Sequence, residues 1–205
     1  MKNAFVTAKI SARVTDIYLF CRFISLFAAA CLLGVYIESR AGYSAAYEII
    51  GGYFSSFYCN SFADFIKNVC RSSCFELVAL LAAMGSAFTF FCSAFLHFSC
   101  LMCGLVYGIC IHELIGVTLQ HRLVFCWLYV ASVVAFAVVF SVASSVSLGA
   151  NKRFVSDKRS YRSSKKFFIS PMLKQYLMDC LKILALFAVV HILYAGALSI
   201  VQTIS

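Results

Sequence analysis

The sequence contains little charge and almost no proline. Only 12% of its 205 residues are Asp, Glu, Lys or Arg, and Pro171 is the single proline. Average soluble chains carry about 25% charged residues, so this chain has too few to cover a water-soluble domain of its size. The hydrophobic share is 63% and the mean hydropathy is +0.93. The composition therefore predicts an integral membrane protein and excludes a soluble enzyme or binding domain.

Acidic residues are especially scarce, at 8 against 17 Lys and Arg, which leaves a net charge of +9. The basic excess is concentrated in residues 150–174, between two apolar runs. Lys and Arg accumulate in the cytoplasmic loops of membrane proteins and attract anionic lipid headgroups. This segment therefore predicts topology and contact with membrane lipids, and not binding of nucleic acid. Its residues are Lys152, Arg153, Lys158, Arg159, Arg162, Lys165 and Lys166.

Apolar runs long enough to cross a bilayer, which takes about 20 residues, determine the fold class. The run 75–119 would be about 65 Å long as a single helix, twice the bilayer core, so it predicts a hairpin with a turn near 92–97. An even number of crossings would place the basic loop outside, against the usual distribution of Lys and Arg. The chain is thus predicted to be an all-α bundle with a cytoplasmic N-terminus and an extracytoplasmic C-terminus. Its five spans are 18–37, 75–93, 97–116, 123–148 and 177–200. A cleaved signal peptide is the alternative for 18–37, but the apolar stretch continues past the point where a mature chain turns polar.

Aromatic residues recur at spacings of three and four within the outer segment 39–73, which lies between the first two spans. This spacing predicts an amphipathic helix at the membrane surface. The helix either covers the bundle or provides a docking face for an extracytoplasmic partner. The residues of that docking face are Phe54, Phe57, Tyr58, Phe62 and Phe65.

Small residues predict close packing of the spans. Gly104 and Gly108 lie four residues apart, a spacing that lets helices approach closely, and Gly85 in the preceding span is predicted to face them. No span carries a stripe of charged or amide side chains that would line a water-filled path, so the sequence disfavours an ion channel or a proton-coupled transporter. In this scheme Glu76 is assigned to the outer boundary of the second span.

Motifs for catalysis are lacking: the sequence has no HExxH, no GxSxG and no phosphate-binding glycine loop. We therefore expect no enzymatic activity and no cofactor. Cys100 and Cys103 have redox or metal spacing, but their flanks are wholly apolar. His112, Glu113 and His121 make an incomplete metal set, and we interpret them as polar residues that end two helices.

Three features occur in an order that resembles the stage II sporulation protein M family. Leu33-Gly34-Val35 ends the first span, Phe-Ser-Ser-Phe-Tyr-Cys-Asn stands at 54–60, and Cys103-Gly104-Leu105-Val106-Tyr107-Gly108 forms a glycine-spaced third span. The resemblance implies a non-enzymatic membrane scaffold that anchors cell-wall hydrolases during sporulation and engulfment. Other members of that family accompany ABC transporters, which implies the alternative of a membrane subunit of a small transporter.

Overall fold

Five long helices make up the described part of the chain. The computed structural model describes residues 2–41, 61–116, 122–160 and 171–204, and the side chains of 17–40, 61–115, 123–155 and 172–201. The helices are α1 (Lys2–Ala41), α2 (Phe62–Gly85), α3 (Cys92–Gly116), α4 (Arg122–Ser160) and α5 (Pro171–Ile204). Each contains a stretch long and apolar enough to cross a membrane. The predicted all-α bundle of five spanning helices is confirmed, and the described ranges contain no strand.

The bundle has two ends, because successive helices run in opposite directions. The Glu38 end is where α1, α3 and α5 finish and α2 and α4 begin; Leu114, Phe125 and Leu198 pack together there. At the Asn151 end, α2 and α4 finish and α3 and α5 begin. The sequence-based topology assigns the Asn151 end to the cytoplasmic side.

Helix α2 begins before the predicted second span, at residue 62 rather than 75. The Ser61 side chain caps the helix by accepting a hydrogen bond from the Asp64 backbone N–H at 3.2 Å, and Asp64 favours the positive end of the helix dipole. No proline or glycine interrupts the helix before Gly85. Residues 62–73 are therefore the first turns of a spanning helix. The rest of the predicted amphipathic segment, 42–60, lies outside the described residues.

The turn between α2 and α3 lies at 86–91, earlier than the predicted 92–97. A 3-10 turn covers Ser86–Phe88, and the Thr89 hydroxyl donates to the Ser86 carbonyl at 2.8 Å. Asn151 of α4 donates to the carbonyls of Ala87 and Thr89, both at 2.8 Å. An amide side chain from a distant helix satisfies these carbonyls, and residues 86–91 themselves contain no proline or glycine, although Gly85 directly precedes them.

Gly34, Gly104 and Gly108 bring α1 and α3 into backbone contact. A Cβ atom added to Gly104 would lie 2.6 Å from the Phe27 carbonyl oxygen, and one added to Gly108 would collide with the Cys31 carbonyl. The two glycines predicted to pack do lie at a helix interface, but they face α1 and not α2. Gly85 lies outside this interface, because a Cβ there would meet no atom within 4 Å. The hydropathy pattern does not specify which helix a small-residue face meets.

Candidate functional site: a buried carboxylate centre

The acidic residue Glu76 lies inside the bundle, with only 6% of its surface exposed. It stands fourteen residues into the span Phe62–Phe88, roughly 20 Å along the helix axis. This position is in the interior of the bundle and not at the boundary to which the sequence assigned it. Ionisable residues within spanning segments are costly to bury and usually mark function.

Two further helices supply partners to the Glu76 carboxylate. The Tyr107 hydroxyl of α3 donates a hydrogen bond to Oε1. The Nε2 atom of His191 on α5 lies 2.5 Å from Oε2. Tyr107 and His191 are as buried as Glu76. We call these three residues the carboxylate centre; it joins α2, α3 and α5 through polar contacts.

The contact between Glu76 and His191 is close but lacks hydrogen-bond geometry, since Oε2 has no hydrogen-bond partner, and it is an ion pair only when the imidazole is protonated. The other nitrogen of His191, Nδ1, is also buried without a hydrogen bond. The Phe187 ring packs against the imidazole, with ring centroids 4.2 Å apart. A protonated His191 would balance the charge of Glu76, which matters because an uncompensated buried charge is strongly destabilising.

A second acidic pair lies at the Glu38 end. Glu38 of α1 and Glu113 of α3 are each 8% exposed, and their carboxyl groups lie close to one another. His112 Nδ1 lies 3.9 Å from Glu113 Oε1. Glu113, one of the residues predicted to end two helices, is therefore paired with Glu38 in a buried contact that brings α1 and α3 together where both helices finish.

A cavity of about 410 Å³ opens at the Asn151 end, between the stretch of α1 around Ile17 and Phe20, the second half of α4 and the start of α5. Its wall includes Ile17, Arg153, Tyr176 and Asp179. The Tyr176 hydroxyl donates to the Met84 carbonyl at 2.6 Å and lies 3.1 Å from the Ser147 hydroxyl. These contacts hold α5 against the end of α2 and against α4.

The predicted docking and topology residues are only partly within the described chain. Phe62 is 78% exposed at the start of α2, and its ring stacks on that of Phe65 at 6.5 Å. Lys152 and Arg153 are exposed on the last described turns of α4. The remaining predicted residues lie outside the described side chains: Phe54, Phe57, Tyr58, Lys158, Arg159, Arg162, Lys165 and Lys166.

The described part of the chain contains no assembled site for metal binding or redox chemistry. No three His, Cys, Asp or Glu side chains converge there as a metal-binding group, and His121 lies outside it. The Cys100 thiol donates to the Phe23 carbonyl at 3.3 Å, so it serves the contact between α3 and α1. The described cysteines all carry free thiols.

Sequence reasoning missed the carboxylate centre because it placed the start of the second span too late. The available signal was Glu76 itself, an acid set directly between Phe75 and Leu77 at the start of a long apolar run. With the helix beginning at the Ser61 cap, the same residue falls in mid-span. The partners Tyr107 and His191 have no sequence signal that links them to it.

Comparison with known protein families, curated proteins and solved structures found no match to this chain.

Proposed function

We propose that the protein is a non-enzymatic scaffold of the cell membrane that binds an extracytoplasmic partner protein through the outer end of α2. The resemblance to the stage II sporulation protein M family supports the same role, with cell-wall hydrolases as the partner class. Membrane lipids are the second partner, in contact with the basic segment that includes Lys152 and Arg153.

The observation that carries this proposal is the length and polarity of α2. The helix and its 3-10 turn cover 27 residues, about 40 Å against a hydrocarbon core of about 30 Å. Its first three turns carry Asp64, Lys67 and Arg71, which favour the headgroup region and the water beyond it. Phe62 and Ile66 are nevertheless exposed on these same turns, by 78% and 48%. Exposed apolar side chains on a polar, rigid extension suit a protein-binding surface.

Replacing Phe62 and Phe65 together with alanine is expected to reduce recovery of the partner by roughly tenfold or more, because aromatic side chains supply most hot-spot energy at interfaces. The measurement is quantitative co-purification with the full chain from its native membrane. The matched control is Val78→Ala with Leu81→Ala, two exposed positions deeper in the same helix. The scaffold proposal fails if both double variants recover the same proteins at wild-type levels.

The scaffold role requires the Glu38 end to face outward, as the basic segment at the opposite end supports. We expect a membrane-impermeant maleimide to label Cys70, which is exposed on the outer turns of α2, in intact cells. In a Cys70→Ser background, Lys152→Cys should be labelled only after permeabilisation. The reverse pattern of labelling would show that the orientation is inverted.

A second candidate function is a membrane subunit of a small transporter. The carboxylate centre favours it, because ionisable groups within spans often lie on ion or proton pathways. The two functions predict different co-purifying proteins: a membrane-bound ATPase for the transporter subunit, and a wall-acting extracytoplasmic protein for the scaffold.

A further inference from the structure

Polar side chains continue from the carboxylate centre toward the Glu38 end of the bundle. The ring of Tyr107 packs on that of Tyr129 from α4, with centroids 6.3 Å apart. The Tyr129 side chain lies next to the thiol of Cys110. Tyr107, Cys110 and Glu113 follow each other at intervals of three residues, which places them along one face of α3. This series connects Glu76 with the carboxyl pair at the helix ends.

The carboxyl pair at the Glu38 end is the next polar group in this direction. The Glu38 and Glu113 side chains lie close together in a buried site, where two ionised carboxylates repel one another and a shared proton relieves the repulsion. Oε1 of Glu38 is buried and has no hydrogen-bond partner. His112, about one third exposed, lies beside Glu113 and is the group of this cluster nearest to solvent. The series therefore begins at His112, which is in contact with water, and at the buried carboxyl pair beside it.

In the opposite direction the carboxylate centre is closed by apolar side chains. Leu80 lies one turn further along α2, and Phe187 lies one turn back along α5. Phe136 of α4 packs against Tyr107, with ring centroids 5.5 Å apart. All three are almost fully buried. Groups that protons could use thus continue in series toward the Glu38 end, while the side chains toward the Asn151 end are apolar apart from the Cys103 thiol.

We propose that Glu76, Tyr107 and His191 form a proton-binding site that exchanges protons with the solution at the Glu38 end, through Tyr129, Cys110 and Glu113. Each helix packed around this site contributes further titratable groups. They are Glu38 of α1, Cys103 and His112 of α3, Tyr129 of α4 and Tyr194 of α5. In one state, imidazolium of His191 pairs with the carboxylate of Glu76. A proton arriving from the Glu38 end adds to Glu76 Oε2 and removes the attraction between α2 and α5. The inference goes beyond the scaffold role and does not depend on it.

The site is tested first on the unmodified chain, in sealed phosphatidylethanolamine and phosphatidylglycerol vesicles. Hydrophobic carbodiimides attack protonated carboxyls in apolar surroundings, and mass spectrometry locates the adduct. Molecules with the Glu38 end outward are recovered through a biotin–maleimide on Cys70. Acidifying the outer solution at constant inner pH should increase modification of Glu76, and acidifying the inner solution alone should not. An adduct that is absent from Glu76 at every pH, or that follows the inner pH, would overturn the proposal.

The path is tested separately by infrared detection of the protonated carboxyl after a pH jump. The band of the Glu76 carboxyl is the one that disappears in the Glu76→Gln variant. Tyr129→Phe and Glu113→Gln should slow the appearance of that band by roughly tenfold or more, since each removes a group that passes the proton. Tyr36→Phe, which alters an exposed tyrosine of α1, is the matched control and should leave the rate unchanged. A static clamp between helices predicts no pH-dependent band, and equal rates in all variants would exclude this path.

Discussion

Replacing His191 with leucine is expected to destabilise the bundle by about 3–5 kcal/mol, because it leaves Glu76 buried without its counter-charge. A neutral hydrogen bond between spanning helices contributes far less, on average about 0.6 kcal/mol. The size of the loss therefore distinguishes an ion pair from a neutral contact. The measurement is the free energy of unfolding of the full chain in mixed micelles.

A double-mutant cycle isolates this pair. Glu76→Gln removes the charge that His191 balances, so adding Glu76→Gln to His191→Leu should restore much of the lost stability. His97→Leu is the matched control, since His97 is bonded within its own helix, to the Ser93 carbonyl at 2.6 Å. A His191→Leu loss no larger than that of His97→Leu would exclude a charged pair.

The second large effect is expected at the contact between α1 and α3. Gly108→Ala should destabilise the bundle by at least about 2 kcal/mol, because overpacking costs about 1–3 kcal/mol even where side chains can adjust, and here the new methyl meets the Cys31 backbone. That cost opposes a gain of about 1 kcal/mol in helix propensity. The readout is again the free energy of unfolding in micelles.

Gly196→Ala is the control for this substitution. Gly196 lies within α5, and a Cβ there would meet nothing within 4 Å. The propensity gain should therefore appear unopposed, as stabilisation of up to about 1 kcal/mol. Stabilisation of the same size by Gly108→Ala would mean that α1 and α3 are not in backbone contact.

Hydropathy was sufficient to predict the membrane class and the all-α fold, and together with the position of the basic loop it gave the number of spanning helices. These properties depend on the transfer of each segment from water to lipid, and that free energy is local to the segment. The small-residue spacing of Gly104 and Gly108 likewise indicated a close helix contact. Its partner was assigned to α2 because the two spans are neighbours in sequence, whereas the structure pairs α3 with α1.

The boundaries of the hairpin were less predictable, for a physical reason that involves Asn151. Any point in a continuous apolar run costs about the same to insert into lipid, so hydropathy does not mark where the chain reverses. The reversal at 86–91 is stabilised by the Asn151 side chain, which belongs to another helix. At the other end of α2, the Ser61 cap was a local signal that a search for apolar residues passes over.

The sequence by itself determined that this chain is a membrane protein, that it forms five spanning helices, and that its basic segment follows the fourth helix. Only the tertiary structure decided which helices meet and that Glu76 is enclosed with Tyr107 and His191. Insertion into the membrane depends on the summed hydropathy of each helix and does not depend on which face of the helix carries a polar group. Pairing depends on the shape and polarity of single faces, and those faces come together only when distant segments pack.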